Sequence, residues 1–244
     1  MTTGKTASQK LASVPDEKKE LATPVAPTGF GSMANAEQDD FSIDRLCLIQ
    51  GTATEIEMYG QHDRGTWVLS STGAAFDVDG RKFIPISGWN EWIKYAEGGS
   101  GSGIEYRTMH REDIPAEDLE LGSGKKGVGT AAVKHSNWLV LFQGDEVPVL
   151  LSFKKTSLKG GQALLKMEAM RRATAARRGE DVTPGCYELD VRDKKFSEGS
   201  ALIPSPRPAG DPTGDMVALA IEWFTRIGDP NKVKVNAETD EIPI

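Results

Sequence analysis

The chain has 244 residues and carries 29 Lys and Arg against 36 Asp and Glu, a formal net charge of -7. A chain of this length can bury one good core or two small ones, and an acidic total normally argues against nucleic acid as a partner. Its apolar runs are only as long as strands, which excludes a transmembrane helix, and its polar start at 1–11 lacks the apolar stretch of a secretory signal.

The two ends of the chain differ in composition from the middle. Residues 1–40 are rich in Lys, Glu, Pro, Thr and Ala and have few large apolar side chains, so burial there cannot offset the entropy of ordering the chain. We therefore expect a disordered leader over 1–40, one folded domain over 41–228 and a flexible acidic tail over 229–244.

The first half of the domain predicts short strands. Apolar runs at 45–50 and 66–70 are each followed by a segment that contains glycine. The segment 76–83 has Asp79-Gly80 at its centre, a pair suited to backbone positions with positive φ, and predicts a hairpin.

The second half predicts a hairpin, a helix and closing strands. Apolar runs at 136–143 and 147–153 are separated by Gly-Asp-Glu, which predicts the clearest hairpin in the chain. The helix begins at about 158 or 162 and ends before Gly179. Two further strands and an amphipathic helix complete the domain, at 186–191, 201–204 and 215–227. This order predicts a mainly β fold (β+α), an OB-like small β-barrel with one helix between strands and a C-terminal helix.

The residue patterns that catalysis requires are missing. The glycine-rich segment 122–126 resembles a phosphate-binding loop but lacks the earlier glycine and the following Ser or Thr, so a solvated basic loop is the better interpretation. The three histidines are isolated in the sequence, two cysteines cannot form a four-ligand zinc site unaided, and Cys186 is expected to be a buried, inert thiol. The acidic pairs at 112–113 and 117–118 are expected in a solvated loop. We therefore predict no enzymatic activity, no cofactor and no metal.

Charge is distributed very unevenly along the chain. The segment 153–178 holds eight basic residues and one acid, Glu168, so it carries +7 and leaves -14 for the rest. A local basic patch of this kind is typical of a protein that binds phosphates. The alternative is a solvated helix whose arginines complement the dipole at its C-terminus. That alternative does not explain Lys154, Lys155 and Lys159, which flank the start of the helix.

Aromatic and basic residues are interleaved in the middle of the chain. Proteins that bind single strands combine a basic groove with rings on which bases stack, each stacked base contributing about 1–3 kcal/mol. The alternative is that these rings fill a small β-core, as we expect for Trp138 and Trp223. The predicted nucleic-acid-binding residues are Trp67, Arg81, Lys82, Trp89, Trp92, Lys94, Tyr95, Tyr106, Arg107, Phe153, Lys154, Lys155, Lys159, Arg171 and Arg172.

The C-terminal residues form a second candidate site. The sequence ends in three acids, Ile-Pro and a final Ile. This ending resembles the acidic tip of bacterial single-stranded DNA-binding proteins. A flexible peptide of this kind can place its last side chain in a pocket of a partner protein and its carboxylate against a basic residue. The predicted partner-binding residues are Asp240, Glu241, Ile242, Pro243 and Ile244.

Three apolar segments resemble a family of tailed-bacteriophage proteins. These segments are 45–52, 149–158 and 187–189, and the resemblance extends over about 43–227. It implies an OB-fold protein that coats single-stranded DNA during replication or recombination in the cytoplasm of an infected bacterium. The tip would then recruit replication or recombination proteins, and no membrane is expected as a partner.

Two other interpretations follow from the same sequence. The chain could be a phage virion structural or assembly protein, with terminal arms that order on neighbouring subunits. It could also be a β-rich adaptor that binds only proteins. The oligomeric state and the preference for DNA over RNA are open at this point.

Overall fold

The computed structural model describes residues 43–96, 103–120, 131–197 and 199–227. Its strands are β1 (Arg45–Leu48), β2 (Trp67–Leu69), β3 (Lys82–Tyr95), β4 (Ile104–Thr108), β5 (Val133–Phe142), β6 (Val149–Lys154), β7 (Tyr187–Phe196) and β8 (Gly199–Pro208). Its α-helices are α1 (Ala53–Tyr59), α2 (Ala116–Glu120), α3 (Leu158–Arg178) and α4 (Gly214–Ile227). The predicted leader over 1–40 and tail over 229–244 lie outside the described residues.

The strands form one sheet that curls into a half-barrel. Its order is β2-β1-β6-β5-β3-β7-β8, and β4 also pairs with β3. The 14-residue strand β3 pairs with β7 at its start, with β5 along most of its length and with β4 at its end. A register shift between Pro85 and Ser87 interrupts the β3–β5 ladder, and irregularities of this kind bend and twist a strand. The mainly β character that the sequence predicts is confirmed.

The concave face of the sheet encloses the main core. The rings of Phe83, Phe142, Phe153 and Trp138 are buried there with aliphatic side chains from β1, β6 and β7. Leu164 of α3 is fully buried against them, so this helix closes one end of the half-barrel. Burial of this much aromatic and aliphatic surface is the main contribution to the stability of the domain.

The opposite face of the sheet is covered in part by α4. The apolar stripe of this helix, Met216, Ala220, Trp223 and Ile227, is buried against residues of β3, β5 and β6. The indole Nε1 of Trp223 donates to the backbone oxygen of Glu146 at 2.8 Å. The 3.6-residue spacing of the stripe predicts this arrangement, and both the helix and the structural role of Trp223 are confirmed.

Several predicted elements are confirmed in detail. β5 and β6 form the predicted antiparallel hairpin, and α3 spans the predicted basic helix. Gly179 ends α3 in the left-handed conformation, with φ of +68°, as expected of a glycine C-cap. Trp138 and Cys186 are buried, as predicted.

The predicted hairpin at 76–83 is wrong. Gly80 has a positive φ of 66° and a tight turn is present, but the flanking segments do not pair with each other. Ala75 instead makes an isolated bridge to Val68, while the strand after the turn pairs with β5 and β7. The strand after the turn pairs with β5 and not with the segment before the turn, because β5 is long and apolar and that segment is short.

Candidate functional site

Strand alternation separates the aromatic residues that the sequence groups together. Trp89 and Tyr95 lie on the face of β3 that also carries Glu91, while Trp92 and Lys94 lie on the opposite face. Trp89 packs against residues of α4. The predicted Trp89-Trp92-Tyr95 group is therefore divided between two surfaces.

The face with Glu91 carries a polar cluster that is buried at its centre, around Glu91 and His135, and exposed at its edge, at Arg107. Its members come from five strands and are Arg45, Glu91, Arg107, His135, Asn137, Ser152 and Lys154. Glu91 is its central acid: Arg107 Nε lies 3.2 Å from Glu91 Oε2, and the Asn137 amide donates to Glu91 Oε1. Ser152 Oγ donates to Asn137 Oδ1 at 2.6 Å. Buried polar groups linked in this way fix one another's orientation.

Positive charge predominates in this cluster. Burial, together with repulsion from Arg45 and Lys155, lowers the pKa of Lys154 to about 8. Burial also lowers the pKa of His135 to about 2, with Lys154 and Arg45 adding to the effect, so the imidazole is neutral at physiological pH. The Tyr95 hydroxyl lies 3.5 Å from Nε2 of this ring.

The connection from β6 to α3 adds exposed charge beside the cluster. A 3₁₀ turn spans Lys155–Ser157, and within it Lys155 has a φ of +46°, which is uncommon for a residue with a side chain. Ser157 Oγ accepts from the backbone nitrogen of Lys154 and donates to its backbone oxygen, both at 2.8 Å. Lys155 and Lys159 are exposed. Non-glycine residues with positive φ persist where the surrounding structure imposes them, often at functional sites.

Lys94 and Tyr106 belong to a separate cluster on the other face of β3. Both bind the carboxylate of Asp118 in α2, Tyr106 donating at 2.8 Å. Burial raises the pKa of Asp118, but the hydrogen bonds from Lys94 and Tyr106 lower it below its usual value overall. Asp118 is only 4% exposed and both acids lie in α2, so the predicted solvated loop at 117–118 is wrong, although Glu117 is exposed. Asp118 had looked solvated because its basic partner, Lys94, lies on a strand distant in the sequence.

Other predicted residues have structural contacts. Trp67 and Phe153 are buried, so neither ring has a free face on which a base could stack. Arg81 forms an ion pair with Asp145 at 2.6 Å and lies over the Phe76 ring. Lys82 is half-buried where β3 meets β7.

The remaining predicted residues lie on other surfaces. The Trp92 ring is half-buried beneath Lys134 Nζ, which lies 5.3 Å from its centroid. Arg171 bonds Thr183, Arg172 is exposed, and both lie about 20 Å along α3 from its start. Residues Asp240, Glu241, Ile242, Pro243 and Ile244 lie outside the described residues.

The site residues predicted from the sequence did not include Arg45, Glu91, His135 or Asn137. The available signal was the alternation in 134–138, where His135 and Asn137 are two polar residues separated by one position on a predicted strand. Two such residues share a strand face. Their partners, however, come from strands whose pairing is not apparent in the sequence.

This chain has no match among known proteins that would assign it to a family. No family model, no curated protein and no solved structure matches this chain. Within the described ranges, no three His, Cys, Asp or Glu side chains are grouped so that they could hold a metal ion. None of the helices in the described part of the chain has the length and apolar character needed to cross a membrane.

Proposed function

We propose that this chain is a non-enzymatic, sequence-nonspecific single-stranded DNA-binding protein that protects DNA during phage replication or recombination. The observation that carries the proposal is the concentration of cations around the connection from β6 to α3. Exposed Lys155 and Lys159 lie there beside the half-buried Lys154, with Arg45 and Arg107 in the adjoining cluster. Neutralisation of phosphates by lysine and arginine supplies most of the affinity of nonspecific DNA binding.

The connectivity of the domain supports the same proposal. Strands β3, β5 and β6, then α3, then β7 and β8 follow the OB order of three strands, a helix and two strands. As in an OB barrel, the first strand of this series pairs with both the second and the fourth. One difference is that β6 pairs with β1 rather than with β8 among the described residues.

The position of the charge also fits an OB barrel. Oligonucleotides bind such barrels on the face of strands 2 and 3 and at the neighbouring loops. The corresponding strands here are β5 and β6, whose outer face carries His135 and Lys154. Charge rather than stacking would supply most of the affinity, because Trp67 and Phe153 are buried and Trp89 packs against α4.

A titration of fluorescent oligo-dT with matched double variants tests this function. We expect Lys155→Gln with Lys159→Gln to weaken binding at least about tenfold and to flatten the salt dependence by about 0.7 per lost phosphate contact. The matched control is Arg177→Gln with Arg178→Gln, which removes the same charge from the other end of α3 and should change affinity little. No binding of oligo-dT by the full chain at about 50 mM salt, where such binding is strongest, would contradict the proposal.

The acidic tip is proposed to recruit replication or recombination proteins. Deletion of residues 238–244 should leave oligo-dT affinity unchanged or increase it, because acidic groups that compete with phosphates are removed. Recruitment of partner proteins by the DNA-bound chain should be lost. Weaker DNA binding after the deletion would contradict this role.

A further inference from the structure

We propose that a cavity beside the start of α3 is a binding site for a phosphate-sized oxyanion. The cavity has a volume of about 70 Å³ and lies between β1, β6 and β8. The lining residues that matter here are Arg45, Trp67, His135, Lys154 and Ser157. This proposal does not depend on the chain binding DNA.

Two buried nitrogens of the lining indicate that a ligand belongs there. His135 is 1% exposed and Trp67 is 4% exposed. Neither His135 Nδ1 nor Trp67 Nε1 has a hydrogen-bond partner among the residues that the structure describes. An indole nitrogen can only donate, so its missing partner is an acceptor. Leaving such a group buried without a partner costs about 1–3 kcal/mol, which makes two at one cavity informative.

The Nδ1 atom of His135 is also expected to be a donor, so it too needs an acceptor. When the Tyr95 hydroxyl donates to Nε2, the proton of the neutral ring lies on Nδ1. Both nitrogens that lack partners are then donors. The occupant must therefore accept two hydrogen bonds.

The charges around the cavity favour an anion as this acceptor. Arg45 and Lys154 both line it. The acid that also lines it, Glu55, accepts hydrogen bonds at both oxygens from backbone nitrogens, and the two cations outnumber this one acid. An anion in the cavity would offset the repulsion between Arg45 and Lys154.

The start of α3 gives an independent argument for negative charge at this place. Its N-cap, Ser157, makes no side-chain capping bond within the described part of the chain, and the first turn contains no acidic residue. Helix N-termini are stabilised by anions, yet this one is flanked by lysines. A phosphate or similar oxyanion, which has several acceptor oxygens, fits the donors and the charge together. It could be the phosphodiester of a bound nucleic acid or free inorganic phosphate.

Calorimetric titration of inorganic phosphate into the full-length protein, at constant ionic strength, tests the site. We expect one phosphate per chain, and we expect Lys154→Gln and Trp67→Phe each to weaken its binding about tenfold or more, because each removes a donor to a charged ligand. Trp67→Phe keeps an aromatic ring in the core. Arg178→Gln is the matched control, because Arg178 is exposed at the other end of α3 and does not line the cavity, and it should bind phosphate normally.

The outcomes separate this proposal from the proposed function. Absence of phosphate binding beyond the effect of chloride would overturn the site, as would equal losses in Arg178→Gln and Lys154→Gln. Thermal unfolding of each variant, measured without phosphate, confirms that the variant is folded. A second experiment tests whether inorganic phosphate displaces oligo-dT at constant ionic strength. Displacement identifies the phosphodiester as the natural occupant. Phosphate binding without such competition, or with no DNA binding at all, identifies free phosphate.

Discussion

At the scale of one residue, His135 shows how the fold determines the protonation state of a side chain. On β5 it pairs across the sheet with Glu91 on one side and Lys154 on the other. Burial and the nearby cations keep its ring neutral, with a pKa lowered to about 2. A histidine on an exposed strand would instead titrate near pH 6.5.

This pKa predicts a loss of stability in mild acid. The unfolded chain protonates His135 below about pH 6.5, whereas the folded chain resists protonation down to about pH 2, so the unfolded state binds more protons between these values. The free energy of unfolding should therefore fall by up to about 1.4 kcal/mol for each pH unit below 6. Urea denaturation at several pH values between about pH 4 and pH 7 measures this slope. This range includes the ordinary histidine pKa of about 6.5.

The variant His135→Gln isolates the contribution of this residue. Its slope between the same two pH values should be shallower by up to the same amount, because glutamine has no proton to gain. The exposed His110, replaced in the same way, is the control and should leave the slope unchanged. Equal slopes in His135→Gln and the parent chain would show that the imidazole is not held neutral by the fold.

At the scale of the element, α3 shows how a helix with a glycine pair can pack closely against a sheet. A Cβ on Gly160 would lie 2.7 Å from the backbone oxygen of Pro204, and a Cβ on Gly161 would lie 2.6 Å from Ser136 Oγ. Both glycines are helical, so their conformational freedom is not the reason for their presence. Their lack of a side chain lets the first turn of α3 approach β5 and β8, and this brings the helix start to the cavity.

Alanine at these positions should therefore destabilise the protein, although alanine is the better helix former. We expect Gly160→Ala to lower the free energy of unfolding by about 1–3 kcal/mol, because the clash is with backbone that cannot move aside easily. The control is Gly214→Ala in α4, where a Cβ would meet nothing within 4 Å and helix propensity should leave stability unchanged or slightly increased. Chemical denaturation compares the two, and similar stabilities would show that the close approach is not needed.

At the scale of the whole molecule, a side chain links the segment after β1 to β8, and these two parts of the chain form no ladder with each other. Gln50 Nε2 donates to the backbone oxygen of Leu202 at 3.0 Å, and the Leu202 nitrogen donates to Gln50 Oε1 at 2.8 Å. The carboxamide thus supplies both bonds that a neighbouring strand would supply. Arg64 adds an ion pair to Asp193 across the same opening. The half-barrel is held together here by side chains.

Removal of this link should loosen the contact between the end of β1 and β8. We expect Gln50→Ala to cost about 1–3 kcal/mol, because two backbone groups of Leu202 lose their partner, and to speed hydrogen exchange at the Leu202 amide. The control is Gln143→Ala. This residue is exposed, and its contact with Lys82 is made by its backbone nitrogen, which alanine retains. Unchanged exchange at Leu202 in Gln50→Ala would mean that the amide contact does not hold the strands together.

The sequence by itself determined the elements whose signals are local. The amphipathic stripe of α4, the glycine that ends α3 and the turn between β5 and β6 depend on neighbouring residues, so periodicity and turn chemistry predict them. The segregation of charge into 153–178 is likewise a property of the sequence. These features were sufficient to predict a mainly β domain with a basic strand-to-helix connection.

Only the tertiary structure decided which residues share a surface. That β3 is one 14-residue strand, and that Arg45 lies with His135 and Lys154, depends on pairing between segments far apart in the chain. Many pairings satisfy the same local pattern, and the one adopted is that which buries most apolar surface while satisfying the polar groups. For the same reason the rings of Trp67 and Phe153, expected as stacking platforms, are buried, and the cavity beside α3 had no signal in the sequence.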